Sequence, residues 1–300
     1  MSYISRRFSI VIVIAGLISM VACGGGSGGS EQVDQKSFLI LNVTDAPVDD
    51  ATEVVVEFTG VEIKPAAGDA ISFDFNQPRQ IDLLALQGDN SEPLLNGVEV
   101  DSGQYNWIRL KVNAQRNTLD SYITLNDGST FSLFVPSGDQ RGLQLNGGFL
   151  VPLGQSVSFT IDFDLRKSVI NPPGQSNDYF LKPTLKLIDN TQISTIRGTV
   201  DASVINDAAC NEGVAVYLFQ GLDFTPDDEG SANSPFTSSL VSLDNGTYRF
   251  VVGFLPPGDY TLALTCDADL DDPESDDDIT FIATQNISTL ANQAYQVAFE

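Results

Sequence analysis

Histidine is absent from all 300 residues. That removes Ser-His-Asp and Cys-His catalysis, and with them the commonest zinc ligand. Basic side chains are scarce: 15 Lys and Arg stand against 40 Asp and Glu, for a formal net charge of -25. Nucleic-acid binding needs the opposite sign, because phosphate contacts dominate that affinity. A general attraction to anionic lipid is disfavoured for the same reason. Cysteine is limited to Cys23, Cys210 and Cys266. None forms the close CxxC pair of a redox-active site. No nucleophile motif is present.

What remains is an acidic, moderately apolar chain. Acidity keeps an exported protein soluble and draws cations. The hydrophobic content of 42% is enough for packed cores, and the length suggests about two domains. Phe, Val, Ile and Thr are plentiful and turn residues frequent, which favours strands over helices.

The N-terminus reads as an export tag over residues 1–22. Arg6 and Arg7 form a basic start, residues 8–18 an apolar core, and Met20-Val21-Ala22 a cleavage-like end before Cys23. The apolar run is too short for a comfortable membrane span. The stretch resembles a bacterial lipobox, with Met at its first position where Leu is more usual. The resemblance implies a mature chain that begins at an acylated Cys23 and is held in the lipid bilayer. Each buried methylene contributes roughly 0.8 kcal/mol, so several acyl chains anchor stably. Residues 24–30 are nearly all Gly and Ser, and residues 23–35 read as the lipidated cysteine and a flexible tether. Gly24, in place of Asp, fits sorting to the outer membrane, with the body periplasmic or surface-exposed.

Residues 36–190 carry recurrent strand signals. Val54, Val56 and Phe58 alternate with Val55, Glu57 and Thr59. Ile108, Leu110 and Val112 alternate with Trp107, Arg109 and Lys111. The clearest run sets Val157, Phe159, Ile161, Phe163 and Leu165 against Ser158, Thr160, Asp162, Asp164 and Arg166, with one face expected on a core and one face out. Residues 38–43 are apolar on both faces, as in a central strand. Breakers such as Asp45-Ala46-Pro47 and Asp127-Gly128 separate the runs. A short helix is expected around residues 81–86. An all-β, antiparallel sandwich is the economical arrangement.

This region resembles a bacterial lipoprotein family known as the domain of unknown function 4382. The resemblance rests on Val43-Thr44-Asp45-Ala46-Pro47, residues 54–64, Asp82-Leu83-Leu84, GQYNWIRL at 103–110, Val135-Pro136-Ser137, DFDLRKS at 162–168 and residues 179–185. It implies an extracytoplasmic β-rich domain and supplies no catalytic residues. Two candidate binding faces arise from the alternation itself. Asp162, Asp164 and Arg166 would share one strand face, with the arginine keeping both acids ionised. Tyr105, Trp107 and Arg109 would share another, where aromatic rings could stack on a sugar or simply pack across strands.

Residues 195–300 begin afresh with Gly198-Thr199-Val200. Asn245-Gly246-Thr247-Tyr248-Arg249-Phe250 and Leu255-Pro256-Pro257-Gly258-Asp259-Tyr260 follow. Together these resemble the carboxypeptidase-regulatory-like, prealbumin-type sandwich, which implies a seven-stranded accessory module without catalytic groups. The whole chain therefore reads as two antiparallel β-sandwich domains in tandem. Cys210 and Cys266 are an even pair in an oxidising compartment and read as a disulfide. An acidic, Pro- and Ser-rich loop occupies residues 223–237.

Residues 267–278 pack eight acids into twelve positions. Asp267, Asp269 and Asp271 have the one-three-five spacing of a calcium loop, and Asp276 and Asp278 follow. Calcium takes six to eight oxygens, which suits clustered carboxylates. Asp272 in place of Gly, Pro273 and flanking strands exclude an EF-hand. The other reading of this run is a solvated acidic hairpin. No other cofactor is indicated.

The expected role is that of a non-enzymatic envelope lipoprotein. It would bind an envelope protein or glycan, brace an assembly, or serve calcium-dependent adhesion. The alternative is a carboxylate-based polysaccharide hydrolase, which requires a groove with two acids, one of raised pKa.

Overall fold

The computed structural model describes residues 36–46, 51–136, 142–171, 179–182, 184–208, 210 and 213–300. The export tag, Cys23 and the tether lie outside these residues. Among the described residues no helix is long and apolar enough to cross a membrane.

Alternation becomes strand nearly everywhere. Residues 37–189 build two facing sheets. The first has the strand order Leu185–Asp189, Ser156–Asp164, Ser37–Ala46, Glu92–Val100. The second is nine-stranded and centred on the 15-residue strand Ala51–Pro65, which pairs with Ile71–Asp82, Gly103–Asn113 and Tyr122–Leu125. Between them lies one core that includes Leu39, Leu41, Val43, Phe58, Val61, Ile63, Ile108, Leu110, Ile161 and Phe163. Phe58 meets Phe163 edge to face across it, at 6.3 Å between centroids. The helix expected near residues 81–86 is a single 3-10 turn, Leu83–Leu86, capped by the Asp82 carboxylate on the Leu84 N–H.

Residues 194–299 build two four-stranded sheets. One runs Ser242–Asp244, Thr247–Leu255, Ser194–Val200, Ala294–Phe299; the other runs Thr237–Leu240, Ala215–Gln220, Gly258–Thr265, Phe281–Thr289. That is eight strands where the prealbumin-type resemblance implies seven. Asn245 (φ 49°) and Gly246 (φ 81°) form the two-residue hairpin turn expected from Asp244-Asn245-Gly246, both in the left-handed region such turns require. Gly198 lies under the Phe250 ring, which occupies the space a Cβ would need.

The fold is all-β, as expected, but its pairing is not purely antiparallel. Ser37–Ala46 runs parallel to Ser156–Asp164, and Ser194–Val200 runs parallel to Ala294–Phe299. Tyr179–Leu181 is also parallel to Thr130–Phe134. Period-two patterning sets which face is buried and is blind to strand direction. Cys210 follows the short helix Ala202–Asp207, and Cys266 directly follows the strand Gly258–Thr265. The two are disulfide-bonded, with Cα atoms 5.3 Å apart.

Residues Gln35–Glu300 pack as one compact unit. The outer face of the first sheet lies against strand Thr237–Leu240. Gly253 approaches Gly88 so closely that a Cβ would stand 2.4 Å from the Gly88 carbonyl oxygen. Arg197 and Asp89 form an ion pair across the same contact.

Candidate functional site at the junction of the sandwiches

The segment DFDLRKS positions the junction. Strand Ser156–Asp164 ends where Asp164 accepts a hydrogen bond from the Lys167 N–H and starts the helical turn Leu165–Ser168. The turn swings Arg166 and Lys167 away from the strand and into the second sandwich. The Arg166 guanidinium donates to the Tyr217 hydroxyl (2.5 Å), which donates to Asp271 Oδ2 (2.5 Å). Asp271 also accepts from the Glu229 N–H, and Arg166 lies 4.0 Å from its carboxylate. Lys167 Nζ pairs with Glu229 Oε2 at 2.8 Å. Arg166, Glu229 and Asp271 are all buried.

Burial raises the Asp271 carboxyl, while Tyr217, the Glu229 N–H and Arg166 act against it. Burial and Asp164 likewise raise Glu229 against the pull of Lys167. Burial works against the Lys167 ammonium, but the surrounding acids, Glu229 foremost, outweigh it and hold its pKa above the usual lysine value. Tyr217 is also raised, chiefly by burial, and stays a neutral donor.

This arrangement corrects the expected row of Asp162, Asp164 and Arg166. Arg166 is not on the strand, because the helical turn intervenes. The face expected to be solvated is covered: Asp162 and Asp164 are each 8% exposed. Asp162 pairs in register with Lys186, whose Nζ donates to the Phe236 carbonyl. Burial lifts the Asp162 carboxyl to about 6, with Lys186 opposing and Asp164 adding. Asp45 is raised well above the carboxylate range by burial and by Asp162 and Asp164. Among the described residues neither Asp45 oxygen has a hydrogen-bond partner of ordinary geometry, and the Leu165 N–H opposes the rise only in part.

Asp45 and Asp162 line a cavity of about 30 Å³ together with Thr44, Ser238 and Ser239. That volume holds about one water molecule, not a sugar. A second, larger groove of about 750 Å³ runs along Phe149, Leu150, Val157, Leu185 and Leu187. Its one carboxylate, Asp189, is already bonded to Thr191. Neither cavity has the paired acids in a sugar-sized groove that glycoside hydrolysis needs.

A pH dependence follows from the buried pair. A carboxyl whose pKa is raised by folding favours the protonated form. For Asp162 the stabilising contribution is complete below about pH 4 and is lost as pH rises through about 6. Asp162→Asn is expected to raise the melting temperature by several degrees at pH 8 and by much less at pH 4. Equal shifts at both pH values, measured by calorimetry, would contradict the account.

The Tyr105, Trp107 and Arg109 face also divides. The register steps from Lys64↔Trp107 to Pro65↔Tyr105, so Asn106 is an extra residue in a bulge. The bulge turns Tyr105 into the core, 1% exposed, where it stacks on Phe149 and its hydroxyl donates to the Asp101 carbonyl. Trp107 and Arg109 stay together on the outer face, with the guanidinium 4.6 Å from the indole ring. Arg109 also pairs with Glu62.

The acidic run 267–278 does not act as a linear loop. Carboxylate oxygens of Asp228, Asp271 and Asp277 lie within 4.8 Å of one another, as do those of Asp227, Asp228 and Asp276. Asp271 and Asp276 thus fall in different triads that share Asp228, while Asp267, Asp269 and Asp278 fall in neither. Asp267 accepts from the Thr280 N–H, and Asp269 packs against Gly213. Asp227, Asp228, Glu229 and Asp277 were not singled out from the sequence. The acidity of residues 223–237 was the available signal, but not its proximity to residues 267–278.

Residues 36–183 match the family model described as Domain of unknown function (DUF4382). No curated protein matches the sequence. Among solved structures, the chain is similar to the Bacillus anthracis TIE protein at 9% identity, with a TM-score of 0.21, covering 88% of this chain and 34% of that one. The chain thus spans about a third of that protein's length. The minor pilin of Streptococcus agalactiae is 11% identical over 87% of this chain and 94% of its own, with a TM-score of 0.19. BcpA, the major pilin subunit of Bacillus cereus, is 9% identical over 88% and 69%, with a TM-score of 0.22. Scores this low carry no assignment of fold or function.

Proposed function

From a chain whose residues 36–183 match the DUF4382 family model, we propose a non-catalytic protein of the bacterial cell envelope with a structural or binding role. The observation that carries this reading is the fate of the charged residues of DFDLRKS. Arg166 and Lys167 are taken up in fastening one sandwich to the other. The Cys210–Cys266 disulfide fits an oxidising compartment outside the cytoplasm. The partner is an envelope protein or glycan, met on an outer, half-buried face such as that of Trp107 and Arg109. Nucleic acid is excluded by charge. Anchoring through an acylated Cys23, with sorting to the outer membrane, completes the reading.

The test is the protein's own N-terminus. Mass spectrometry of the membrane fraction is expected to find a mature chain that begins at Cys23 and carries acyl chains. Cys23→Ala is expected to lose the acyl mass and most of the membrane association. An unmodified start at Met1 in a cytosolic protein with reduced Cys210 and Cys266 would overturn the reading.

A further inference from the structure

We propose that the loops of residues 223–237 and 267–278 together form a calcium site, with Asp228, Asp271 and Asp277 as its inner ligands and Asp227 and Asp276 on its outer side. The proposal is independent of where the protein resides.

The two carboxylate triads share Asp228. Asp228 is fully buried, at 0% exposure. Its Oδ2 accepts a hydrogen bond from the Asp277 N–H at 2.8 Å, which ties the two loops together. Among the described residues its Oδ1 has no hydrogen-bond partner. A buried carboxylate oxygen without a donor is costly and uncommon in a native structure. Here it stands beside two further carboxylates. Among the described residues, no Lys or Arg forms an ion pair with Asp227, Asp228, Asp276 or Asp277. The nearby cations are already engaged, Lys167 by Glu229 and Arg166 by Tyr217 and Asp271. Like charges held this close repel, and a cation in the same space relieves that repulsion.

The loops are also fixed in contact. A Cβ on Gly230 would fall 1.6 Å from the Ser275 carbonyl oxygen, so the two backbones touch where no side chain fits between them. The acids therefore cannot relax apart as those of a free hairpin do.

The donor set selects the ion. All the ligands are oxygens, and neither histidine nor a free thiolate is available, which disfavours zinc and copper. The triads come from irregular loops of mixed exposure. Calcium accepts such variable geometry at 2.3–2.6 Å, whereas magnesium demands a near-ideal octahedron and keeps its water. Asp271 also receives the Tyr217 hydroxyl from the Arg166 clamp. The ion therefore sits at one end of the hydrogen-bonded path that fastens the sandwiches together.

The experiment is calorimetric titration of the purified full-length mature protein, stripped with a chelator, using calcium chloride and, separately, magnesium chloride. One calcium per chain is expected, with magnesium at least tenfold weaker. Calcium at about 100 times its Kd should raise the melting temperature by about 5–10 °C over the chelated protein. Asp228→Asn is expected to weaken calcium binding at least tenfold without lowering the melting temperature in chelator. Asp277→Asn gives a second reading should that variant misfold. Asp269→Asn, in the same acidic run but outside both triads, should leave the affinity within twofold of wild type. Absence of binding heat together with an unmoved melting temperature at 5 mM calcium overturns the site. So does calcium binding abolished by Asp269→Asn and untouched by Asp228→Asn or Asp277→Asn.

Discussion

Arg166→Met is expected to destabilise the protein by about 3–5 kcal/mol, the usual cost of breaking a buried pair from one side. Methionine keeps much of the volume but removes the charge that faces Asp271 and the donor that fixes Tyr217. The side chain of Asp271 is 0% exposed, so its charge would be left with only the Tyr217 hydroxyl and the Glu229 N–H. Arg166 also lies against the Tyr217 ring, 5.3 Å from its centroid, and Lys cannot reproduce that planar contact. Arg166→Lys should therefore recover only part of the loss. At pH 7.5 the melting temperature of Arg166→Met should fall by roughly 10 °C. Calorimetry should resolve two transitions for the variant and one for wild type, because the loosened sandwiches would melt separately. A single transition within 2 °C of wild type would show that the clamp does not couple them.

The second large effect is reduction of Cys210–Cys266. The bridge closes a loop of 56 residues' separation that holds most of the strands of the second sandwich. Chain entropy alone gives about 4 kcal/mol for a loop of that length. A Cys210→Ala, Cys266→Ala double variant should melt about 10 °C lower than the oxidised protein. Wild type treated with reductant should match it. The comparison also separates the bridge from the proposed ion. Cys266 is followed directly by the 267–278 loop, so loss of the bridge should weaken calcium binding, while loss of calcium should leave the bridge intact.

Local pattern carried the sequence reading a long way and then failed for definite reasons. Alternation in residues 156–164 marked a true strand, and Asp244-Asn245-Gly246 marked a true hairpin turn. The even pair of distant cysteines marked a true bridge. Strand direction was not legible, because parallel and antiparallel partners bury the same alternate residues. The bulge at Asn106 was not legible either, since one inserted residue leaves the composition unchanged while moving Tyr105 to the opposite face. Asp162 read as solvated because the second sandwich that covers it begins some thirty residues later in the sequence. The partners of the calcium-like spacing came from another loop for the same reason. Position 228 and position 277 meet only once the strands between them have paired.

The parallel pairing of first strand with late strand recurs in both sandwiches, and it has a mechanical meaning. A pull between Ser194 and Phe299 draws Ser194–Val200 and Ala294–Phe299 along their own lengths in opposite directions. Their hydrogen bonds are then sheared together instead of being unzipped one after another. Ser37–Ala46 and Ser156–Asp164 are also parallel, but the chain leaves that sandwich through Leu185–Asp189, which returns Asp189 towards the end where Ser37 starts. Tension applied between Ser194 and Phe299 therefore meets the second sandwich in its most resistant direction.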